Sequence, residues 1–182
     1  MSYDLFSSLD SSVNSSSLDT PTATVLQVRD VAGEYRQVDA DEVLQAAQQL
    51  LLGRLRGSDV MSSPQAVRDY LRMKLGNLEY EVFAVVHLDS QNRVIEYVEM
   101  FRGTVTQTSV YPREVVREAM KRNSCAMLLV HNHPSGTTTP SRADEHLTTT
   151  LKQALALVDV RVLDHLIVAG HAITSMAEMG LI

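Results

Sequence analysis

The chain has little cysteine, no long hydrophobic run and fewer basic than acidic residues, and each shortage excludes a class of protein. Because Cys125 is the only cysteine, no intrachain disulfide can form, which fits a reducing compartment. No window approaches the roughly 20 apolar residues that span a bilayer, and the N-terminus lacks the basic and then apolar segments of a secretory signal. We therefore expect a cytoplasmic protein without membrane contact.

Acidic residues outnumber basic ones by 22 to 16, which gives a formal net charge of -6. This balance disfavours a general phosphate-binding surface. A local basic group does occur on the outer side of a helix predicted to begin near Tyr111, and it consists of Arg113, Arg117, Lys121 and Arg122. Charge on an exposed helix more often serves solvation than binding, so the sequence gives little support to direct DNA binding.

The length of 182 residues suits one domain of about 100 to 150 residues with appendages. Residues 1–22 are rich in serine and aspartate and poor in apolar residues, so we predict a disordered tail. Residues 23–62 are predicted to form a small extension, a short hairpin that turns at Gly33 and then a helix that ends near Gly53. The inner face of that helix is predicted to hold Val43, Ala47, Leu50 and Leu51.

Residues 63–182 alternate between helical and strand patterns, which predicts an α/β domain. A helix is expected to start at Ser63 and Pro64, and an antiparallel hairpin is expected over residues 81–102. A second helix should bury Val115, Val116, Ala119 and Met120. A strand over residues 125–130, a helix after Pro140 and a strand over residues 160–169 are expected to complete the domain.

Two histidines and one aspartate around a turn-rich loop form a candidate metal site. The segment from residue 127 to residue 144 reads MLLVHNHPSGTTTPSRAD. His131 and His133 are expected to point to the same face of a strand, roughly 7 Å apart. Asp144 falls in the first turn of the next helix, three residues after Ser141 at its N-cap. Two imidazoles and one carboxylate form the ligand set of a catalytic zinc, with a fourth position left for water.

Each part of this pattern also has an ordinary structural explanation. An HxH pair often occurs by chance at a strand end, Asp144 suits a capping box, and Ser141 suits an N-cap. The combination of all parts in one spacing is much more demanding than any single part. The pattern is therefore stronger evidence for a metal than its components.

The same residues resemble a known family. His131, His133, Pro134, Ser141 and Asp144 resemble the JAMM signature of the MPN-plus metalloproteases. Within that group, the sequences HNHPSG, TPSRAD, RVLDHLIV, FRGT, YPREVVREA and AEMGLI resemble the RadC family, and the similarity covers residues 64–182. The resemblance implies a single MPN (JAB-type) domain with a mixed β-sheet flanked by helices, and Zn²⁺ bound by His131, His133 and Asp144.

The resemblance also implies roles for further residues. The JAMM general base lies at the start of the first strand, in a context like EVxGxLLG, and Glu81 in EVFAVVHL resembles it although alanine stands in place of the glycine. Glu99 and Glu79 are alternatives for this base. Ser141 would donate a hydrogen bond to the oxyanion, as in the similar enzymes. His165 is predicted to be a core residue or to lie behind the ligands.

Three functional hypotheses follow. The first is a zinc-dependent metallohydrolase that cleaves a peptide or isopeptide amide bond in a peptide or protein substrate. The second is a non-catalytic association module linked to DNA-repair or replication proteins, as the RadC name implies. The third is hydrolysis of a small non-peptide amide. A contiguous His-Asn-His is no evidence for an HNH nuclease, and the sequence has no HxE followed by PCxxC, which argues against a zinc nucleobase deaminase.

Overall fold

A computed structural model describes residues 26–29, 31–56, 58–60, 63–103 and 109–182. Four helices and seven strands lie in these ranges. The strands are β1 (Leu26–Arg29), β2 (Tyr35–Val38), β3 (Val82–Leu88), β4 (Val94–Arg102), β5 (Ala126–Asn132), β6 (Arg161–Ala169) and β7 (Ala172–Ser175). The helices are α1 (Ala40–Leu55), α2 (Pro64–Leu75), α3 (Pro112–Lys121) and α4 (Arg142–Ala156).

The described residues divide into two compact units, with the boundary between residues 47 and 48. In the first unit, β1 and β2 pair antiparallel as the predicted hairpin. Gly33 lies in its turn at a φ of 90°, a conformation that glycine adopts without strain. The predicted tail, residues 1–22, lies outside the described residues, and the predicted domain boundaries at residues 22 and 62 stay a prediction.

The second unit contains a five-stranded sheet in the order β4-β3-β5-β6-β7. β5 and β6 run parallel, whereas all other neighbours in the sheet run antiparallel. The sheet is therefore mixed, and helices pack on both of its faces, which confirms the predicted α/β class and MPN-type architecture. Within the described ranges, no helix is long and apolar enough to cross a membrane.

The two faces of the sheet bury separate groups of side chains, because successive residues of a strand point to opposite sides. On one face, Ala84 and Val86 of β3 pack with Leu71 and Leu75 of α2. On the other, Phe83 and Val85 pack with Val115 of α3 and with Leu151 and Leu155 of α4. Met127 and Leu129 of β5 belong to the same group, so β5 and α4 share this second face.

Two details of the predicted packing were wrong. Helix α1 continues through Gly53 to Leu55, which is buried, whereas Leu50 is 57% exposed. In α3, Val115 and Ala119 are buried but Met120 is 56% exposed. Met120 follows Ala119 by about 100° around the helix, which turns its side chain away from the sheet. The spacing of apolar residues therefore did not show which of them lie at the exposed margin of the buried face of α1 or α3.

Gly76 allows two backbone segments to approach each other. A Cβ at this position would lie 2.4 Å from the carbonyl oxygen of Gly170 and 2.6 Å from that of Arg72. Since both are backbone atoms, Gly76→Ala should destabilise the fold by about 2 kcal/mol or more, measured by urea unfolding.

The matched control is Gly53→Ala in α1. A Cβ there meets no atom within 4 Å, so alanine should stabilise the helix by up to about 1 kcal/mol. Equal stability of Gly76→Ala and the natural chain would contradict the close approach.

Candidate metal centre

The carboxyl end of β5 presents the two predicted histidine ligands on one face of the sheet. His131 pairs with Phe83 of β3 and is 2% exposed. His133 follows the strand directly, and its backbone N–H donates to the carbonyl of Val168 in β6 at 2.8 Å. The two Nε2 atoms lie 2.8 Å apart, so both imidazoles point at the same small volume.

Asp144 reaches this volume from the start of α4. Ser141 is the N-cap of the helix, and its Oγ accepts from the N–H of Asp144 at 3.2 Å. The Asp144 carboxylate accepts in return from the N–H of Ser141 at 2.7 Å, which completes a capping box. The capping box holds the carboxylate at the end of the helix that faces the histidines.

The three side chains fit a tetrahedral metal. Asp144 Oδ1 lies 3.2 Å from His131 Nε2, and Asp144 Oδ2 lies 3.6 Å from His133 Nε2. Tetrahedral zinc with ligand bonds near 2.0–2.1 Å separates its ligand atoms by about 3.3 Å. Among the residues that the structure describes, this group of potential ligands has three members, all within 4.8 Å of one another. The arrangement is a possible metal-binding group.

The protonation states suit a cation. Burial alone would raise the pKa of Asp144, but hydrogen bonds from His131, His133 and Ser141 outweigh it and hold that pKa well below its ordinary value. The same carboxylate, through its hydrogen bond, raises the pKa of His133. Asp144 is therefore ionised at neutral pH. A bound cation would replace the proton that the Asp144 carboxylate holds on His133.

Hydrogen bonds behind the histidines set which ring nitrogen faces the site. His133 Nδ1 donates to the carbonyl of Thr137 at 2.6 Å, so Nε2 is the nitrogen of His133 that can bind a cation. His131 Nδ1 lies 2.8 Å from Nε2 of His165, and Nδ1 of His165 lies 2.6 Å from Oγ1 of Thr148. Ligand histidines in metal sites have this kind of outer partner.

The hydrogen bonds from His131 to His165 and from His165 to Thr148 form a relay, and Thr148 determines which atom donates in each of them. Its hydroxyl donates to the carbonyl of Asp144 at 2.6 Å, so it must accept from Nδ1–H of His165. Nε2 of His165 then accepts from Nδ1–H of His131. Burial lowers the pKa of His165 well below its ordinary value, which agrees with this neutral form. With a cation in place of the Nε2 protons that bond Asp144, both candidate ligand histidines would present a lone pair on Nε2 to the site.

The position of His165 behind the ligands agrees with its prediction, whereas sequence reasoning missed Thr148. Thr148 stands four residues after Asp144 on α4, one helical turn away and on the same side. A buried threonine at this spacing was the available signal, but threonine is equally common in helices without such a role.

His165→Leu should weaken zinc binding by about 10- to 100-fold, because Nδ1–H of His131 would lose its acceptor. A competition titration against a chromophoric zinc chelator measures the affinity. Thr148→Val tests the same relay one step further out and keeps the size of the side chain. The matched control is His146→Leu, which removes an exposed histidine from the same helix. Unchanged affinity in a folded His165→Leu chain would refute the relay.

Of the three candidate bases, Glu81 is the one for which the structure shows an interaction with a candidate ligand. It directly precedes β3, and its charge contributes to raising the pKa of His133. Glu99 lies on the opposite face of the sheet, because it pairs with Ala84, and it forms an ion pair with Lys74 of α2 at 3.2 Å. Glu79 is exposed.

Ser141 directs its hydroxyl at Asp144 and not at an open volume. Its Oγ donates to Oδ2 of Asp144 at 2.7 Å while it accepts from the backbone of the same residue. A hydroxyl has one proton to donate. In this structure Ser141 therefore caps the helix and orients the carboxylate.

Comparison with known proteins identifies the family. A family model described as a RadC-like JAB domain matches residues 61–181. A UPF0758 protein of Leptothrix cholodnii is 54% identical over 150 residues, which is 82% of this chain and 68% of the relative. A UPF0758 protein of Acidovorax sp. is 57% identical over 82% of this chain and 63% of its own length. A UPF0758 protein of Methylibium petroleiphilum is 51% identical over 91% of this chain and 74% of its own length. The chain thus spans about two thirds of these relatives, and it belongs to the RadC family.

Proposed function

We propose that this chain is a zinc-dependent metallohydrolase that cleaves the amide bond of a peptide or isopeptide. The observation that supports it is the convergence of His131, His133 and Asp144 at ligand spacing. A structural zinc site uses four protein ligands, whereas a catalytic site uses three. A group of three favours the catalytic type.

The site is open to solvent at one side, as a substrate requires. The side chains of His133 and Asp144 are 18% and 13% exposed, whereas that of His131 is 2% exposed. Zinc, when bound, supplies a Lewis acid that lowers the pKa of water and polarises a carbonyl. The buried histidine would hold the cation and the more open pair would border the substrate.

Glu81 would be the general base. In amide hydrolysis, one group must take a proton from the attacking water and deliver it to the leaving amine. Two observations support Glu81 in this role: its electrostatic effect on His133, and its place in the chain two residues before Phe83, which pairs with His131. Ser141 would first have to release Asp144 before it could donate to an oxyanion.

A peptide or protein substrate is the class implied by the resemblance of His131, His133, Ser141 and Asp144 to the JAMM signature of metalloproteases. The single cysteine, Cys125, fits a reducing compartment such as the cytoplasm.

Elemental analysis of the purified chain is the first test. We expect about one zinc per chain, removed by a strong chelator and restored by added Zn²⁺. The zinc-loaded chain should also cleave members of a peptide mixture, followed by mass spectrometry, and cleavage should stop on chelation. A chain that binds no zinc at micromolar Zn²⁺ would refute the proposal.

A further inference from the structure

The backbone pairing between β3 and β5 stops just before Glu81. The last paired residues at this end are Phe83 and His131. Beyond them, the backbone after β5 bonds β6 and no longer β3: the N–H of His133 donates to the carbonyl of Val168. The N–H of Val82 and the carbonyl of Tyr80, which point to the β5 side, thereby lose a backbone partner. Such groups need another partner when buried.

The side chain of Asn132 supplies that partner. Its Oδ1 accepts from the N–H of Val82 at 2.7 Å, and its Nδ2 donates to the carbonyl of Tyr80 at 3.0 Å. Asn132 is 2% exposed, so water does not compete for these bonds. A carboxamide places an acceptor oxygen and an N–H donor in the same plane, as a peptide group does. The side chain therefore extends the sheet past the end of the paired backbone.

Glu81 lies between the two backbone groups that Asn132 binds. On the opposite side, the carbonyl of Glu81 accepts from the N–H of Gly103 at 2.8 Å. Both peptide planes that flank the Cα of Glu81 are thus hydrogen-bonded, one to Asn132 and the other to Asn132 and Gly103. These planes define φ and ψ of Glu81, and φ and ψ set the direction in which its side chain leaves the backbone.

We propose that Asn132 is a positioning residue that fixes Glu81 relative to the metal ligands. This inference rests on the proposed function, and it adds a role for the residue between the two histidines. Asn132 is covalently joined to both His131 and His133, so a single residue couples the ligand strand to the base. A displacement of about 1 Å in a catalytic group can cost about 100-fold in rate, so such coupling has functional value.

The two bonds require asparagine. Aspartate has the same shape but no donor, and its charge would face the carbonyl of Tyr80. Alanine provides neither bond and would leave the N–H of Val82 buried without a partner. Asn132→Asp and Asn132→Ala therefore disturb the backbone around Glu81 by two different routes, and neither removes a metal ligand.

A double-mutant cycle on zinc-loaded chains tests this role, with acetohydroxamate as the probe. A hydroxamate chelates zinc and can hydrogen-bond to a neighbouring carboxylate, so its affinity reports the position of Glu81 without any substrate. We expect Asn132→Ala to lower the affinity for acetohydroxamate by about tenfold. When Glu81→Gln is already present, Asn132→Ala should lower it by less than about twofold. Zinc content should stay at the level of the natural chain in both variants.

The outcomes separate this inference from the proposed function. A natural chain without zinc overturns both. A different result is that the chain binds zinc and loses acetohydroxamate affinity in Glu81→Gln, while Asn132→Ala lowers that affinity equally with Glu81 and with Gln at position 81. This result overturns only the positioning role, because Asn132 would then act independently of Glu81. If Asn132→Ala does not fold, Asn132→Asp enters the same cycle, since it keeps the shape and the acceptor for Val82.

Discussion

Replacing Asp144 with alanine should leave the purified chain with almost no zinc. Four-ligand zinc sites bind with about 10–16 kcal/mol in total, so one ligand contributes on the order of 3 kcal/mol, equivalent to at least about 100-fold in affinity. His131→Ala should have an effect of similar size, since its Nε2 faces the same volume. Inductively coupled plasma mass spectrometry of chains purified side by side measures the bound zinc.

Asp144 has a second role that the experiment must separate from the first. Its carboxylate completes the capping box of α4, and loss of a cap costs about 1 kcal/mol of stability. Ser141→Ala removes the hydroxyl part of that box and keeps the ligand, so it should lower stability while zinc is retained. Glu145→Ala removes the next carboxylate of the same turn, which is exposed, and should change neither.

The comparison of these variants decides between a ligand and a helix cap. Asp144→Ala with full zinc content would mean that the carboxylate only caps the helix. Zinc lost equally in Ser141→Ala and Asp144→Ala would mean that the fold of the helix start, and not the charge of Asp144, controls binding. The expected pattern is loss of zinc in Asp144→Ala alone.

The local sequence predicted the elements of this site well. The Ser-Pro start of α2, the continuous apolar run of β3, the alternating pattern of β4 and the Ser141 cap of α4 are all local signals, and each element lies where they indicated. His131 and His133 point to one face because two-residue alternation is a property of any strand. These features depend on residues a few positions apart, so one sequence is sufficient to predict them.

Other features depend on register between distant segments, which local patterns do not contain. Glu99 was a reasonable alternative base until its pairing with Ala84 placed it across the sheet from His131. The relay from His131 to His165 spans 34 positions, and it requires the parallel pairing of β5 with β6. The exposure of Met120 and Leu50 likewise depends on which side of each helix is covered by other elements.

Glu81→Gln should keep zinc and lose turnover by about 100- to 10,000-fold, the range that general acid–base catalysis contributes. Glutamine has the size of glutamate, so binding and folding should change little, but it cannot accept the proton of the attacking water. The rate is measured as kcat/KM on a peptide that the natural chain cleaves, with zinc content determined on the same samples. Because the change leaves His131, His133 and Asp144 in place, it separates catalysis from metal binding.

The two alternative carboxylates provide the controls. Glu99→Gln breaks an ion pair with Lys74 on the far face of the sheet, and Glu79→Gln changes an exposed carboxylate two residues before Glu81. Both should retain turnover within about threefold, since Glu99 lies on the far face of the sheet and Glu79 is exposed. Loss of activity in Glu99→Gln with retention in Glu81→Gln would refute the assignment of the base. Glu79 and Glu81 are two residues apart, and both variants lose one negative charge. A difference in turnover between them would therefore reflect the geometry at the start of β3 and not the loss of charge.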